Sequence, residues 1–160
     1  MRLVFVCVGR LKAGPERELA TRYLDRAVAA GRSLGFAGLD LREVDESRAR
    51  RPEDRKAEEA KTIRAALGAA TSFLVFDETG ETPTSEAFAR RIGATRERGA
   101  ASFGLVIGGP DGLDPGLRSS AEFALALGRL TWPHQLARIM AAEQIYRAMT
   151  ILAGHPYHRA

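Results

Sequence analysis

Short apolar runs alternate along the chain with longer segments of helical periodicity, and no other feature narrows the possible folds as far. The runs fall at residues 2–8, 39–44, 72–76, 103–107 and 123–127 and predict five strands. The segments between and after them predict helices at 15–30, 52–68, 84–98, 115–120 and 133–152. Strand and helix in regular succession specify an α/β fold, a mostly parallel sheet with helices on both faces. Two helix starts carry their own chemistry. Asp114 precedes Pro115, an N-cap acceptor before a proline placed where its missing N–H is no loss. Thr84, Ser85 and Glu86 put hydroxyls and a carboxylate at the head of another helix.

A length of 160 residues suits one domain, 1–160, because two would each have a core barely large enough to stand alone. Hydrophobic residues at 45% and charged residues at 28% are globular proportions, which exclude wholesale disorder, collagen and coiled-coil arrays. The 24 Lys and Arg against 20 Asp and Glu leave a net charge of +4, compatible with a nucleic-acid partner without demanding one. Cys7, the lone cysteine, sits in the apolar run 3–8. It excludes an intrachain disulfide, suits a reducing cytosol and reads as packing rather than as a nucleophile. The first apolar run leads into Gly9-Arg10 and not a cleavage site, and nothing approaches the roughly 20 apolar residues of a membrane span, so a soluble cytoplasmic chain is expected.

The most hydrophilic stretch, residues 42–64, reads as a solvated loop and helix face. In the last helix Leu136, Ile139, Met140, Ile145, Tyr146, Met149 and Leu152 cover more than one stripe. Either a two-fold partner covers the surplus, or both stripes are buried within one subunit. Glu143 and Arg147, four apart, are spaced to pair on that helix.

In open parallel sheets, ligands bind beyond the carboxyl ends of the strands. Three loops there contain glycine: 77–80, 108–112 and 128–133. Each glycine admits close backbone approach or positive φ, and three such loops at strand ends favour a binding site. Asp77, Glu78, Glu81, Asp111 and Asp114 against Arg129 make the loops acidic, which disfavours a triphosphate. Residues 9–14 have phosphate-loop spacing but continue as Pro15-Glu16, and no G-x-G-x-x-G follows a strand. What remains is a neutral or cationic small molecule held by backbone groups, a description that S-adenosylmethionine fits. His155 and His158 lack a third ligand and flank Pro156, so no metal site is expected. The tail nonetheless concentrates Tyr, His and Arg, groups suited to stacking on bases and holding phosphates.

Several blocks resemble a known family. They are residues 106–113 (VIGGPDGL), 130–138 (LTWPHQLAR), 143–148 (EQIYRA) and the terminal Tyr157-His158-Arg159, with earlier matches at 8–12 and at Phe76, Asp77 and Gly80. Together they resemble the ribosomal RNA large-subunit methyltransferase H family, of the SPOUT class, along the whole chain. The sequence departs from that pattern at Glu81 and Glu59-Ala60, and residues 33–56 show little likeness.

The resemblance implies a SPOUT-type α/β fold with a C-terminal trefoil knot, active as a homodimer, without a metal or a membrane partner. It implies methylation of N3 of a pseudouridine in the helix 69 loop of 23S rRNA, on assembled ribosomes, with S-adenosylmethionine as donor. Matching motifs give a donor site of Phe76, Gly108, Gly128, Arg129, Leu130, Thr131, Trp132 and Pro133. Tyr157 and His158 are expected to position the substrate or accept its proton, and Arg159 to hold a phosphate or a developing negative charge; His155 and His134 rank behind them. The contrasting expectation is a non-catalytic ribosome- or RNA-binding protein of the same fold.

Overall fold

The computed structural model describes residues 1–68, 70 and 72–158. Five strands, β1 (Arg2–Val8), β2 (Gly38–Val44), β3 (Phe73–Glu81), β4 (Ser102–Ile107) and β5 (Phe123–Leu125), alternate with α1 (Pro15–Gly31), α2 (Pro52–Leu67), α3 (Ser85–Glu97), α4 (Pro115–Ser119) and α5 (His134–Leu152). A single 3-10 turn, Arg32–Leu34, follows α1 and was not expected. All strand pairs are parallel, in the order β2-β1-β4-β3-β5. Among the described residues no helix is long and apolar enough to cross a membrane.

Alternation along the strands sends side chains to two cores. Leu3, Phe5 and Cys7 face α1, α3 and α5, where Leu24, Phe88, Ile92 and Ile145 pack. Val4, Val6 and Val8 face α2 and α4, where Ile63, Leu67 and Leu117 pack. Burial pushes the Cys7 thiol up to about 12, so it stays protonated and inert. The expected caps form: the Thr84 hydroxyl accepts from Ala87 N at 3.2 Å, and the Asp114 carboxylate from Leu117 N at 2.9 Å.

Two strands differ from expectation. β5 ends at Leu125, whereas β3 continues beyond Phe76. Phe76 and Glu81 both stand opposite Leu125, so residues 77–80 bulge outward and the strand then rejoins its neighbour. Ala126 N donates to Glu81 O at 2.7 Å and closes the bulge. Gly80 makes this possible, because a Cβ there would lie 2.6 Å from the Ala124 carbonyl carbon.

The hydrophilic stretch is not all solvated. Glu43 and Glu59 turn inward, and Glu43 meets Arg138 of α5, of which only 2% is exposed. The Arg138 guanidinium donates to Glu43 and to Gly9 O (3.1 Å), while Leu11 N donates to Glu43 Oε1 at 3.0 Å. Burial by itself would raise the Glu43 carboxyl, but the Leu11 N–H and the Arg138 hydrogen bond and charge outweigh it and hold it below 4.5. As for α5, both α1 and α3 pack on it within the same chain, covering Ile145 and Met149 completely and Tyr146 in part. Only Leu136 of its stripe residues is exposed.

Two outcomes follow from this packing. Replacing Arg138 with Met strands the Glu43 carboxylate and lowers unfolding free energy in urea titrations by about 3–5 kcal/mol. Because the folded Glu43 value is depressed, its contribution is complete above the unfolded value and drains away as pH falls through the folded one, so the Arg138→Met deficit shrinks in acid. Gly80→Ala forces β3 and β5 apart and costs about 1–3 kcal/mol in the same measurement.

Candidate active site

The β3 bulge and the glycine loops beyond the carboxyl ends of β4 and β5 converge on one cleft of about 730 Å³. Its lining runs from Phe76 to Thr79, from Ile107 to Leu113, and through Leu125, Leu127, Gly128, Leu130, Thr131 and Trp132, with Arg118, His134 and Ala137 completing it. The volume lies in the range of small-molecule sites, roughly 300–1,000 Å³.

The glycine loop after β4 is folded tightly against itself. Gly112 N donates to Gly109 O at 3.0 Å, closing a turn over Pro110 and Asp111. A Cβ on Gly108 would stand 2.8 Å from Leu113 Cδ2 and 3.3 Å from the Gly112 carbonyl carbon, so only glycine lets the loop fold onto Leu113 here. His134, at the first turn of α5, donates from Nε2 to Gly108 O at 2.9 Å. Burial pulls its ring below the ordinary 6.5, the Gly108 carbonyl opposes that pull, and the nearby Arg138 charge adds to it. The neutral ring thus ties α5 to the β4 loop.

The acidic balance read from the loops is largely neutralised by partners distant in sequence. Arg55 grips Asp111 with two hydrogen bonds of 2.6 and 2.9 Å, and Arg91 donates to Glu81 at 2.6 Å. Arg118 Nε lies 3.4 Å from Asp77 Oδ1, and its Nη2 donates to Thr79 Oγ1 at 2.8 Å. Asp114 is engaged as the cap of α4. Burial would raise the Asp77 carboxyl, but the Thr79 hydroxyl and N–H and the Arg118 charge bring it below 3.8. Of the acidic groups lining the cleft, only Glu78 has no ion pair among the described residues.

Six of the expected donor-site residues line the cleft: Phe76, Gly108, Gly128, Leu130, Thr131 and Trp132. Arg129 and Pro133 lie in the same segment but not on the lining. The expected catalytic tail stands elsewhere. Tyr157 packs on Tyr146 with ring centroids 4.6 Å apart, lies under the Arg147 guanidinium and donates to Glu143 Oε1 at 3.0 Å. Glu143 and Arg147 form the expected pair, at 2.6 Å. Burial and then the Glu143 hydrogen bond push the Tyr157 hydroxyl up to about 12. His158 Nε2 lies 2.7 Å from Glu86 Oε1 at the head of α3. Arg159 falls outside the described residues. His155 Nδ1 accepts from Tyr157 N at 3.1 Å. Arg118 and Ala137 line the cleft although the sequence reading passed over them; the one available signal was that Arg118 belongs to the helix directly after the glycine loop.

A parallel sheet with its cleft at the carboxyl ends of three strands defines the class as an α/β small-molecule-binding domain. Residues 1–158 match the family described as predicted SPOUT methyltransferase. Proteins named ribosomal RNA large subunit methyltransferase H are similar over full length: that of Beijerinckia indica subsp. indica is 58% identical over 160 residues, 100% of both chains. That of Methylocella silvestris is 57% identical, over 99% of each chain. Among solved structures, the SpoU methyltransferase AviRb of Streptomyces viridochromogenes is 13% identical with a TM-score of 0.39; the match covers 96% of this chain and 60% of that longer one. The chain belongs to the SPOUT methyltransferase family and, within it, groups with the ribosomal RNA large subunit methyltransferase H proteins.

The His134 bond has a pH signature. Its folded value lies below the unfolded 6.5, so the stability it contributes is complete above 6.5 and is lost as pH falls through the folded value. An NMR titration should find the His134 ring titrating below the ordinary 6.5, and His134→Ala should flatten stability between pH 7 and 5.

Proposed function

We propose that this methyltransferase moves the methyl group of S-adenosylmethionine to N3 of a pseudouridine in the helix 69 loop of 23S rRNA, on assembled ribosomes in the cytoplasm. The observation that carries the reading is the convergence of three loops on one cleft. The lining suits the donor. Phe76, Leu127, Leu130 and Trp132 supply apolar surface for a purine, and Gly108 keeps the β4 loop folded on Leu113 beside them. Phe76, Gly108 and residues 128–133 would hold it, with Arg129 and Pro133 shaping the segment rather than touching the ligand.

When bound, S-adenosylmethionine supplies an electrophilic methyl on a sulfonium. The departing thioether needs no proton, so the residues of the cleft act mainly by orientation, a source of large rate effects in displacement reactions. The imide N3 must lose its proton. His134 Nε2 is already committed to the Gly108 carbonyl, which turns attention to the tail. Tyr157 and His158 are assigned substrate positioning or proton acceptance, and Arg159 a phosphate or a carbonyl oxygen gaining charge. While Tyr157 donates to Glu143 it holds its own proton firmly, so acceptance requires the tail to leave its seat on α5. Rings and guanidinium freed in this way are suited to stacking on bases and contacting phosphates.

A homodimer is part of the proposal. Leu130, Trp132 and Leu136 are exposed by 71%, 38% and 43% around the start of α5, an apolar group that a second copy would cover. The knot expected of this family would lie in the same C-terminal half, where β3 rejoins β5 beyond residues 77–80.

Transfer of labelled methyl to ribosomes lacking the modification, followed by mapping of the labelled nucleotide, tests the proposal; label elsewhere, or none, contradicts it. Truncation after Gly154 should abolish transfer while changing calorimetric affinity for S-adenosylmethionine less than about threefold, under 1 kcal/mol. Undiminished transfer would remove the tail from the mechanism.

A further inference from the structure

Arg118 is the only Lys or Arg among the described residues that line the cleft. Its guanidinium is held from one side. Nη2 donates to Thr79 Oγ1 at 2.8 Å and lies 3.4 Å from Thr79 O, while Nε, sealed from solvent and without a hydrogen bond, has Asp77 Oδ1 at 3.4 Å. Nη1 makes no hydrogen bond among the described residues, although the side chain keeps 38% of its surface. An arginine anchored by one edge and open at the other is arranged to receive an oxyanion.

Glu78, next in sequence to Thr79, borders the same part of the cleft, is exposed and carries no ion pair among the described residues. Asp77 and Asp111 are already matched by arginines. The groups left open beside residues 77–79 are therefore the free edge of the Arg118 guanidinium, whose charge Asp77 already shares, and the Glu78 carboxylate, whereas the lining contributed by 125–132 is apolar or uncharged. A ligand complementary to this cleft has a zwitterionic end and an uncharged, largely apolar end. A free α-amino acid group, with its ammonium and carboxylate on one carbon, is such an end.

We infer that Arg118, steadied by Thr79 and Asp77, binds the α-carboxylate of the amino-acid end of the methyl donor, with Glu78 facing its ammonium. This assignment deepens the donor reading and rests on it. It fixes the direction in which the donor lies, with its amino-acid end toward β3 and α4 and its purine toward residues 127–132. It also makes Arg118 a specificity residue, because a thioether nucleoside without the amino-acid end gains nothing from it.

Calorimetry with two probes tests the inference: S-adenosylmethionine, and 5′-methylthioadenosine, which lacks both the carboxylate and the ammonium. Arg118→Gln should weaken S-adenosylmethionine binding by about tenfold or more and leave 5′-methylthioadenosine within about twofold. Arg118→Lys, which keeps the charge and loses the fork, should recover part of the discrimination. Equal weakening of both probes, or no weakening of either, overturns the assignment, the first because the side chain would then only support the loop. If the unsubstituted protein takes up 5′-methylthioadenosine as well as it takes up S-adenosylmethionine, Arg118 has no anion to bind and the assignment also fails. If it takes up neither, the donor reading falls and this inference falls with it. That outcome is distinguishable because it appears before any substitution is made.

Discussion

The buried guanidinium of Arg138 fastens the last helix to the carboxyl ends of the first two strands, through Gly9 O and Glu43. Four residues earlier on the same helix, His134 fastens it to the loop after β4. These two contacts decide where α5 begins, and the start of α5 forms one side of the cleft. The ion pair need not be favourable against a well-packed apolar alternative, since removing two charges from water offsets most of their attraction. Its consequence here is geometric. Only one rotation and one axial position of α5 satisfy Glu43, Gly9 O and Gly108 O together, and that position brings residues 127–137 over the ends of β3 and β4.

The same logic of anchored charge runs through the cleft. Arg55 holds Asp111, Arg118 holds Asp77 and Thr79, and Arg91 holds Glu81. Each pair ties the end of β3, its bulge or the loop after β4 to a helix, so the segments that would carry a ligand are set by the helices that cover the sheet. Backbone approach supplies the remaining definition. Gly80 lets the β3 bulge close on Ala124, and Gly108 lets the β4 loop fold onto Leu113.

Strands and helices were readable because their signal is local: apolar runs for a buried parallel sheet, and Thr84 and Asp114 as caps. β3 was read short because Asp77-Glu78-Thr79-Gly80-Glu81 has no strand pattern of its own; its continuation depends on pairing with Leu125, a tertiary choice. The cleft was readable as three glycine loops at strand ends, yet its electrostatics were not. Asp111 is matched by an arginine 56 residues away and Glu43 by one 95 residues away, and composition within a loop says nothing of such partners. The surplus apolar stripe of α5 was ambiguous for a related reason, since α1 and α3 cover much of it from the same chain while the residues at its start stay open. The tail shows the limit of reading chemistry from residue type. Tyr157 and His158 are docked on Glu143 and Glu86, off the cleft.

On this account the β3 bulge and the loops after β4 and β5 act as one receptacle for one small ligand. Amide NMR shifts on titration with S-adenosylmethionine test it most directly. Saturable changes should appear together at 76–79, 108–113 and 127–132, with a common dissociation constant. Changes confined to one of these segments, or centred instead on the hollow between α1 and α5 near Tyr23 and Met140, would contradict it.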